Sequence, residues 1–278
     1  MENIRRRMFL IVLLTMVFHG TGTSVEDDGP LFLDYYKEKC PLAEEIVRHS
    51  VAIAVAKDPE WRLHSFACIF MIRGGPSWNV WLGRRDSLEA SFSGANQFIP
   101  APNSSLETLI VTFKQQGLDV GDLVALSGLT KGRSAGSHTL GRARCLSFRQ
   151  RVYDVNFRGK YELYDKYKRY TTFRRILRSI CPKSGRDDEL APLDFQTPAR
   201  FDNHYYLNIL QGKGLLASDN VLVTQDHEGE ILKQVWAYAS DEKLFFASFV
   251  KSMIKMGNIN TLTGNEGEIR KHCRFVNA

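Results

Sequence analysis

The stretch AGSHTLGRARC, residues 135–145, places His138 among small residues, with Arg142, Arg144 and Cys145 just after it. An imidazole can bind a metal ion through one nitrogen while the other nitrogen donates a hydrogen bond. A histidine at the end of a helix can also cap that helix or pack in the core. Taken alone, capping or packing is the commoner role, so the rest of the chain must decide.

Helical periodicity dominates the elements that must position this histidine. Strand signals are sparse, and NVWLG at residues 79–83 is the candidate for a short extended piece. The pattern predicts a mainly α protein. One predicted helix begins after Pro41. A second begins at a capping box of Ser104 and Glu107 and ends at Gly117, and a third runs from the N-cap Asp119 to residue 127. Two more helices are predicted over residues 229–238 and 241–256.

The chain has 278 residues, of which 44% are hydrophobic. This is enough to form the core of one large domain or of two closely packed subdomains. Its net charge is +6. No compact cluster of Lys and Arg suggests a nucleic-acid partner. The positive charge favours either adhesion to anionic polysaccharide or simple solubility.

The first 23 residues have the features of a secretory signal peptide. Residues 5–7 are arginines, residues 8–18 form an apolar run, and small residues follow at 20–24. This run is too short to span a membrane. We therefore expect a secreted, soluble protein, in which disulfides can form. Its five cysteines leave at least one thiol without an intramolecular partner.

From about residue 30 onward, the chain resembles the secretory plant haem peroxidases (class III). The stretches that carry this resemblance are YYKEKCP (35–41), GGPSW (74–78), GRRDSLEASFSGANQFIPAPNSSLETLI (83–110), GLDVGDLVALSG (117–128), GSHTLGRARC (136–145), LDFQTPARFDNHYYLNI (193–209), GLLASD (214–219) and FVKSMIKMGNINTLTGNEGEIRKHCRFVN (249–277).

The resemblance implies an all-α fold of two helical subdomains with haem b between them, here over residues 24–278. His138 matches the proximal ligand of the haem iron, and Asp219 matches the carboxylate that accepts the ligand's other N–H. Without the resemblance, Asp219 would be interpreted as a turn or helix-cap residue. The resemblance further implies that the chain oxidises phenolic donors with hydrogen peroxide in one-electron steps, as a secreted monomer of the cell wall or vacuole.

The resemblance also implies several supporting sites. Oxygen ligands for one Ca²⁺ match Thr139, Asp194, Thr197, Asp202 and the backbone carbonyl of Arg200. Taken by spacing alone, the two aspartates would be turn and cap residues. A disulfide matches Cys145 and Cys181, and Pro100 matches the edge where donors approach the haem. Independently of the family, Asn103 begins an N-glycosylation acceptor.

On the distal side the chain departs from the family motif RLHFHDCF, whose first Arg and second His perform the acid–base chemistry. The segment here is WRLHSFAC, residues 61–68. Arg62 aligns with the distal arginine and His64 with the first, non-catalytic histidine. Ser65 or Phe66 lies near the place of the missing base.

More of the distal side is absent. Only a few residues separate Cys68 from Gly74, where the family has a long segment with a second calcium loop and two cysteines. We therefore expect the distal subdomain to be truncated around residues 60–75. Cys40 and Cys273 would each have lost a partner there, and Cys68 can pair with at most one of them. Residues 129–136, LTKGRSAG, form an insertion that lengthens the turn before His138.

These features leave two functions open. The first is a haem peroxidase whose activity is impaired by loss of the distal histidine. The alternative is a non-catalytic extracellular relative that binds cell-wall polysaccharide through its basic surface. A zinc hydrolase is disfavoured because the sequence has no HExxH motif and no paired CxxC.

Overall fold

The computed structural model describes residues 31–57, 70–127, 138–153, 168–272 and 275–277. The chain divides into two compact units, one of residues 1–93 with 253–278 and the other of residues 94–252. The following predictions lie outside the described residues: the signal peptide, Arg62, His64, Cys68, Cys273 and the insertion at 129–136.

Helices make up most of the described structure, which confirms the predicted all-α class. In the described part of the chain no helix has the length and apolar character needed to cross a membrane. The elements are α1 (Ala43–Lys57), α2 (Phe92–Phe98), α3 (Leu106–Gln115), α4 (Val120–Ala125), β1 (Arg142–Arg144), α5 (Cys145–Tyr153), α6 (Lys168–Ile180), β2 (Leu190–Pro192), α7 (His204–Leu210), α8 (Ala217–Thr224), α9 (Glu230–Ser240) and α10 (Glu242–Gly257).

The candidate extended piece does not become a strand of the sheet. Residues 79–83 form no strand, and Leu82 makes an isolated bridge with Phe32 instead. The described sheet consists of β1 and β2, paired antiparallel with Ala143 opposite Ala191. These strands have three residues each. They are too short for an alternating pattern to be recognised in the sequence.

The helix caps follow the sequence closely, with one correction. Asp119 and Asp122 form the N-terminal capping box of α4, with N–H···O distances of 2.8 and 2.9 Å. The N-cap of α3 is Ser105, whose Oγ accepts from the N–H of Thr108, and not Ser104 as predicted. The hydroxyl of Ser104 accepts from the N–H of Ala101 and stabilises the preceding turn.

Within the first unit, short backbone contacts connect the N-terminal and C-terminal parts of the chain. Asp86 pairs with Glu268 in an isolated bridge, and Arg85 Nε donates to the carbonyl oxygen of Glu266 at 2.8 Å. Phe70 and Trp78 are buried and stack on each other in the same unit.

The second unit has a core built around the predicted disulfide. Cys145 and Cys181 are bonded and fully buried, which confirms their pairing. The bond joins the start of α5 to the end of α6. Of the cysteines that the structure describes, Cys40 is free. The buried residues around the bond are Phe148, Val152, Phe173, Leu177, Ala191, Leu193, Leu215 and Leu216.

A second core, rich in aromatic rings, lies where α7 packs on α9. Aromatic rings of α10 also contact it. Phe245 and Phe249, which lie four residues apart on α10, are fully buried. Both rings contact Phe201, and Phe245 also contacts Tyr206. This core fixes α7, which carries residues that face the predicted ligand.

Candidate functional site

His138 lies between α4 and β1 and is almost completely buried, with 1% of its surface exposed. Its backbone N–H donates to the carbonyl oxygen of Ser127 at 3.3 Å. Ten residues separate Ser127 from His138 in the chain, yet the two lie side by side. The end of α4 therefore fixes the backbone of His138.

The imidazole of His138 is held by Asp219. Its Nδ1 lies 2.5 Å from Oδ1 of Asp219, and the aspartate is 1% exposed. The other carboxylate oxygen, Oδ2, accepts from the backbone N–H of Leu216 at 2.7 Å, at the start of α8. A carboxylate acceptor at Nδ1 favours the tautomer that carries its proton there, leaving the lone pair on Nε2.

Gly214 makes room for Asp219. A Cβ atom built on Gly214 would lie 2.8 Å from Cβ of Asp219 and 3.1 Å from the amide of Asn220. Real Cβ atoms are not found at the first distance. The amide nitrogen of Asn220 donates to the carbonyl oxygens of Gly214 and Leu216, so the turn before α8 is closed tightly over the carboxylate.

Tyr205 is a third member of this group. Its hydroxyl donates to Oδ1 of Asp219 at 3.2 Å, and its ring meets the His138 ring edge-on, with centroids 5.9 Å apart. Burial raises the pKa of Tyr205 well above its ordinary value, and the charge of Asp219 raises it further. The hydroxyl therefore keeps its proton and acts as a donor.

The remaining nitrogen of His138, Nε2, is buried and finds no hydrogen-bond partner among the described residues. Leaving a buried polar atom unpaired costs about 1–3 kcal/mol. One nitrogen bound to a carboxylate and the other free is the arrangement of a metal-ligating histidine. These residues therefore fit a haem iron bound at Nε2.

The residues expected to bind calcium also come together. Thr139, Asp194 and Asp202 are buried, and Thr197 is half-buried. Oγ1 of Thr197 lies 3.4 Å from Oδ2 of Asp194 and 3.0 Å from Oδ1 of Asp202. Oγ1 of Thr139 lies 3.4 Å from the carbonyl oxygen of Arg200. Carboxylate, hydroxyl and carbonyl oxygens are the ligands that Ca²⁺ prefers.

The electrostatics of this oxygen cluster favour an added cation. Burial raises the pKa of Asp194, and the nearby charge of Asp202 raises it further. Hydrogen bonds from backbone N–H groups and from Asn208 oppose that rise. Two side chains lie beside Asp202: Nδ1 of His204 at 3.1 Å, and the guanidinium of Arg200 at 3.7 Å, which is mostly exposed and screened by water.

Pro100 and Asn103 lie on the connection between α2 and α3. Pro100 is half-buried, and Asn103 is exposed in a turn. The carbonyl oxygen of Pro102 accepts from the N–H of Ser218 at 3.0 Å. This bond fixes the connection against the start of α8, next to Asp219.

Three contributors were not predicted from the sequence. Tyr205 and Asn208 lie in LDFQTPARFDNHYYLNI, and Gly214 opens GLLASD, both of which carried the family resemblance. Tyr205 and Asn208 are buried polar residues on α7, a helix too short for its inward face to be identified by periodicity. The need for Gly214 becomes visible once the position of Asp219 is known.

Comparisons with known proteins identify the family of the chain. A family model described as peroxidase matches residues 53–241, more than half of the chain. Peroxidase 20 of Arabidopsis thaliana is 45% identical over 347 residues, covering all of both chains. Peroxidase 72 of the same plant is 49% identical over 317 residues and 90% of each chain. Peroxidase 4 of Vitis vinifera is 47% identical over 210 residues, 74% of this chain and 58% of its own.

The length of the first alignment carries further information. It extends over 347 residues, whereas the chain has 278. The alignment must therefore contain gaps in the sequence of this chain, opposite residues that Peroxidase 20 has and this chain lacks.

Proposed function

The chain belongs to the peroxidase family, and we propose that it is a secreted haem peroxidase that oxidises small phenolic donors with hydrogen peroxide. The observation that supports this most is the buried Nε2 of His138, unpartnered among the described residues, with Asp219 bound at Nδ1. When bound, haem b supplies the iron at which peroxide is reduced and donors are oxidised in one-electron steps.

His138 is the residue that would hold the iron, and Asp219 supports it. The carboxylate accepts the hydrogen bond from Nδ1–H, which fixes the ring orientation and the tautomer that leaves the lone pair on Nε2. Leu216 and Gly214 in turn fix the carboxylate. The imidazole is therefore oriented before any ligand arrives.

We assign one calcium site to Thr139, Asp194, Thr197, Asp202 and the carbonyl oxygen of Arg200. Because Thr139 follows His138 directly, an ion bound there would stiffen the backbone that carries the imidazole. The family's second, distal calcium site is assigned as lost with the deleted segment.

On the distal side we assign Arg62 to stabilise charge that develops on peroxide, and we assign no general base. His64 lies two residues after Arg62, whereas the family base lies four after its arginine. His64 is therefore not at the sequence position of the base, and we propose that turnover is slow.

Outside the reaction centre, we propose that donors approach beside Pro100 and that Asn103 carries a glycan. Both lie on the connection between α2 and α3, where Pro100 is half-buried and Asn103 is exposed. The protein is proposed to be a monomer of the cell wall or vacuole, in keeping with its signal-like N-terminus and basic charge.

The missing distal histidine favours a second candidate. In this alternative the chain is a non-catalytic extracellular peroxidase relative that binds anionic cell-wall polysaccharide. The gaps required by the alignment with Peroxidase 20 agree with loss of a functional segment.

One experiment separates these functions. The protein is refolded with calcium and haemin, its Soret spectrum and haem content are recorded, and peroxide-dependent oxidation of guaiacol is measured. Bound haem with slow turnover supports the first function. Bound haem without turnover, together with retention on polygalacturonate at physiological salt, supports the alternative. A protein that binds no haem contradicts the haem assignment.

A further inference from the structure

One carboxylate oxygen serves two buried side chains. Oδ1 of Asp219 lies 2.5 Å from Nδ1 of His138 and 3.2 Å from the hydroxyl of Tyr205. All three residues are at most 1% exposed, so water does not screen the interaction. The two donors therefore compete for the same negative charge.

This competition has a chemical consequence for the imidazole. A strong hydrogen bond to a carboxylate draws the Nδ1 proton away and gives the ring partial imidazolate character. A second donor on the same oxygen takes part of the negative charge. In a low-dielectric interior, where hydrogen bonds in a network polarise one another, that redistribution is not damped by solvent.

Tyr205 is fixed for this role. Its ring packs edge-on against His138, at 84° between the ring planes, and α7 carries it rigidly through the neighbouring aromatic core. Its hydroxyl stays protonated because burial raises its pKa well above the ordinary value. It can donate to Asp219 but cannot take over as an anion.

We propose that Tyr205 is a positioning residue that limits the charge Asp219 gives to His138 and thereby sets the reduction potential of the iron. This inference rests on the proposed function, in which His138 binds haem. It adds a tuning residue that acts through Asp219 and does not touch the iron.

The chain offers a matched control in the next residue. Tyr206 is also completely buried, and its described hydrogen bonds go to the backbone carbonyls of Val124 and Ala125. Tyr205→Phe and Tyr206→Phe each remove one buried hydroxyl from the same helix. A general loss of stability affects both, whereas the proposed electrostatic effect belongs to Tyr205.

The test measures the reduction potential and the iron–imidazole stretching frequency of the haem-loaded variants. We expect Tyr205→Phe to shift the potential to more negative values and the stretch to higher frequency, with Tyr206→Phe close to wild type. Equal shifts in the two variants, or none in Tyr205→Phe, overturn the proposal. If Tyr205→Phe does not fold, 3-fluorotyrosine at position 205, a stronger donor, is expected to shift the potential the opposite way.

A measurement without haem separates this inference from the proposed function. In the haem-free protein, the proton resonance of His138 Nδ1 reports the bond to Asp219. We expect it to move downfield in Tyr205→Phe, where the competing donor is gone, and to stay in place in Tyr206→Phe. Failure of all variants to bind haem contradicts the proposed function, whereas identical Nδ1 resonances contradict the role of Tyr205.

Discussion

Thr139 and Asp202 are joined by two reciprocal hydrogen bonds. Oγ1 of Thr139 donates to the carbonyl oxygen of Asp202 at 2.8 Å, and the backbone N–H of Asp202 donates to Oγ1 of Thr139 at 3.1 Å. Since Thr139 directly follows His138, this pair connects the loop 194–202 to the imidazole. An ion that stabilises the oxygen cluster should therefore also stabilise the backbone that carries the imidazole of His138.

Removal of calcium tests this connection. With calcium at about a hundred times its dissociation constant, binding adds roughly 2.7 kcal/mol of stability. We therefore expect EGTA to lower the Tm of the wild type and to weaken haem binding. In Asp202→Asn, EGTA is expected to have little effect, because one carboxylate of the cluster is neutral.

Asp188→Asn is the control for that comparison, because this exposed residue pairs with Arg144 at the surface and is not among the expected calcium ligands. It should retain the full response to EGTA. A wild-type Tm that is the same with and without calcium argues against a calcium site here.

Gly214→Ala tests how tightly the turn before α8 holds Asp219. The added Cβ would lie 2.8 Å from Cβ of Asp219, so the turn must shift. Overpacking of this kind costs about 1–3 kcal/mol. We expect lower stability in urea and weaker haem binding.

Gly257→Ala provides the matched comparison, since a Cβ there would meet Arg84 at an ordinary 3.7 Å. Its haem affinity should equal that of the wild type. If Gly214→Ala also binds haem normally, the turn is more adaptable than its contacts indicate.

The parts of the fold that the sequence predicted are those governed by local chemistry. Asp119 caps α4 because its side chain reaches N–H groups three residues away, and Phe245 and Phe249 are core because helical spacing puts them on one face. The role of Tyr205 was not predictable in this way. It depends on α7 meeting α8, a tertiary contact with no local signal.

The pairing of His138 with Asp219 was predictable from the family resemblance and not from the spacing of the two residues. His138 and Asp219 are 81 residues apart, and no periodic pattern connects them. The strands β1 and β2 were not predicted, because they are stabilised by hydrogen bonds to each other across 48 residues of chain and their own residues give no local strand signal.

The disulfide between Cys145 and Cys181 should account for much of the stability of the second unit. It closes a loop of 36 residues, which the chain-entropy model values at about 4 kcal/mol. We expect a Cys145→Ala, Cys181→Ala double variant to unfold at markedly lower urea concentration. Cys40→Ala, which removes a free thiol, should unfold like the wild type.

Peptide mapping without reduction provides an independent check of the pairing. Cys145 should be recovered with Cys181, and Cys40 should react with iodoacetamide. A peptide that joins Cys145 to Cys40 or Cys273 contradicts the fold of the second unit.

The proposed loss of the distal histidine predicts a slow reaction with peroxide, since Ser65 or Phe66 lies near the place of the base. General acid–base assistance contributes typically 10²–10⁴-fold. We expect the second-order rate of the haem-loaded protein, measured by stopped flow, to fall below that of Peroxidase 72 of Arabidopsis thaliana by about this factor. His64→Ala should leave the rate unchanged. A fast rate that collapses in His64→Ala means that His64 serves as the base.

Haemin titration of His138→Ala is the most direct test of the central claim, that Nε2 of His138 binds the haem iron. Loss of a supporting partner alone typically costs about 10–100-fold in metal affinity, and loss of the ligand itself should cost more. The control is His227→Ala, which removes an exposed imidazole. We expect His138→Ala to lose tight binding and the five-coordinate spectrum while His227→Ala retains both. Unchanged affinity and an unchanged spectrum in His138→Ala would contradict the account.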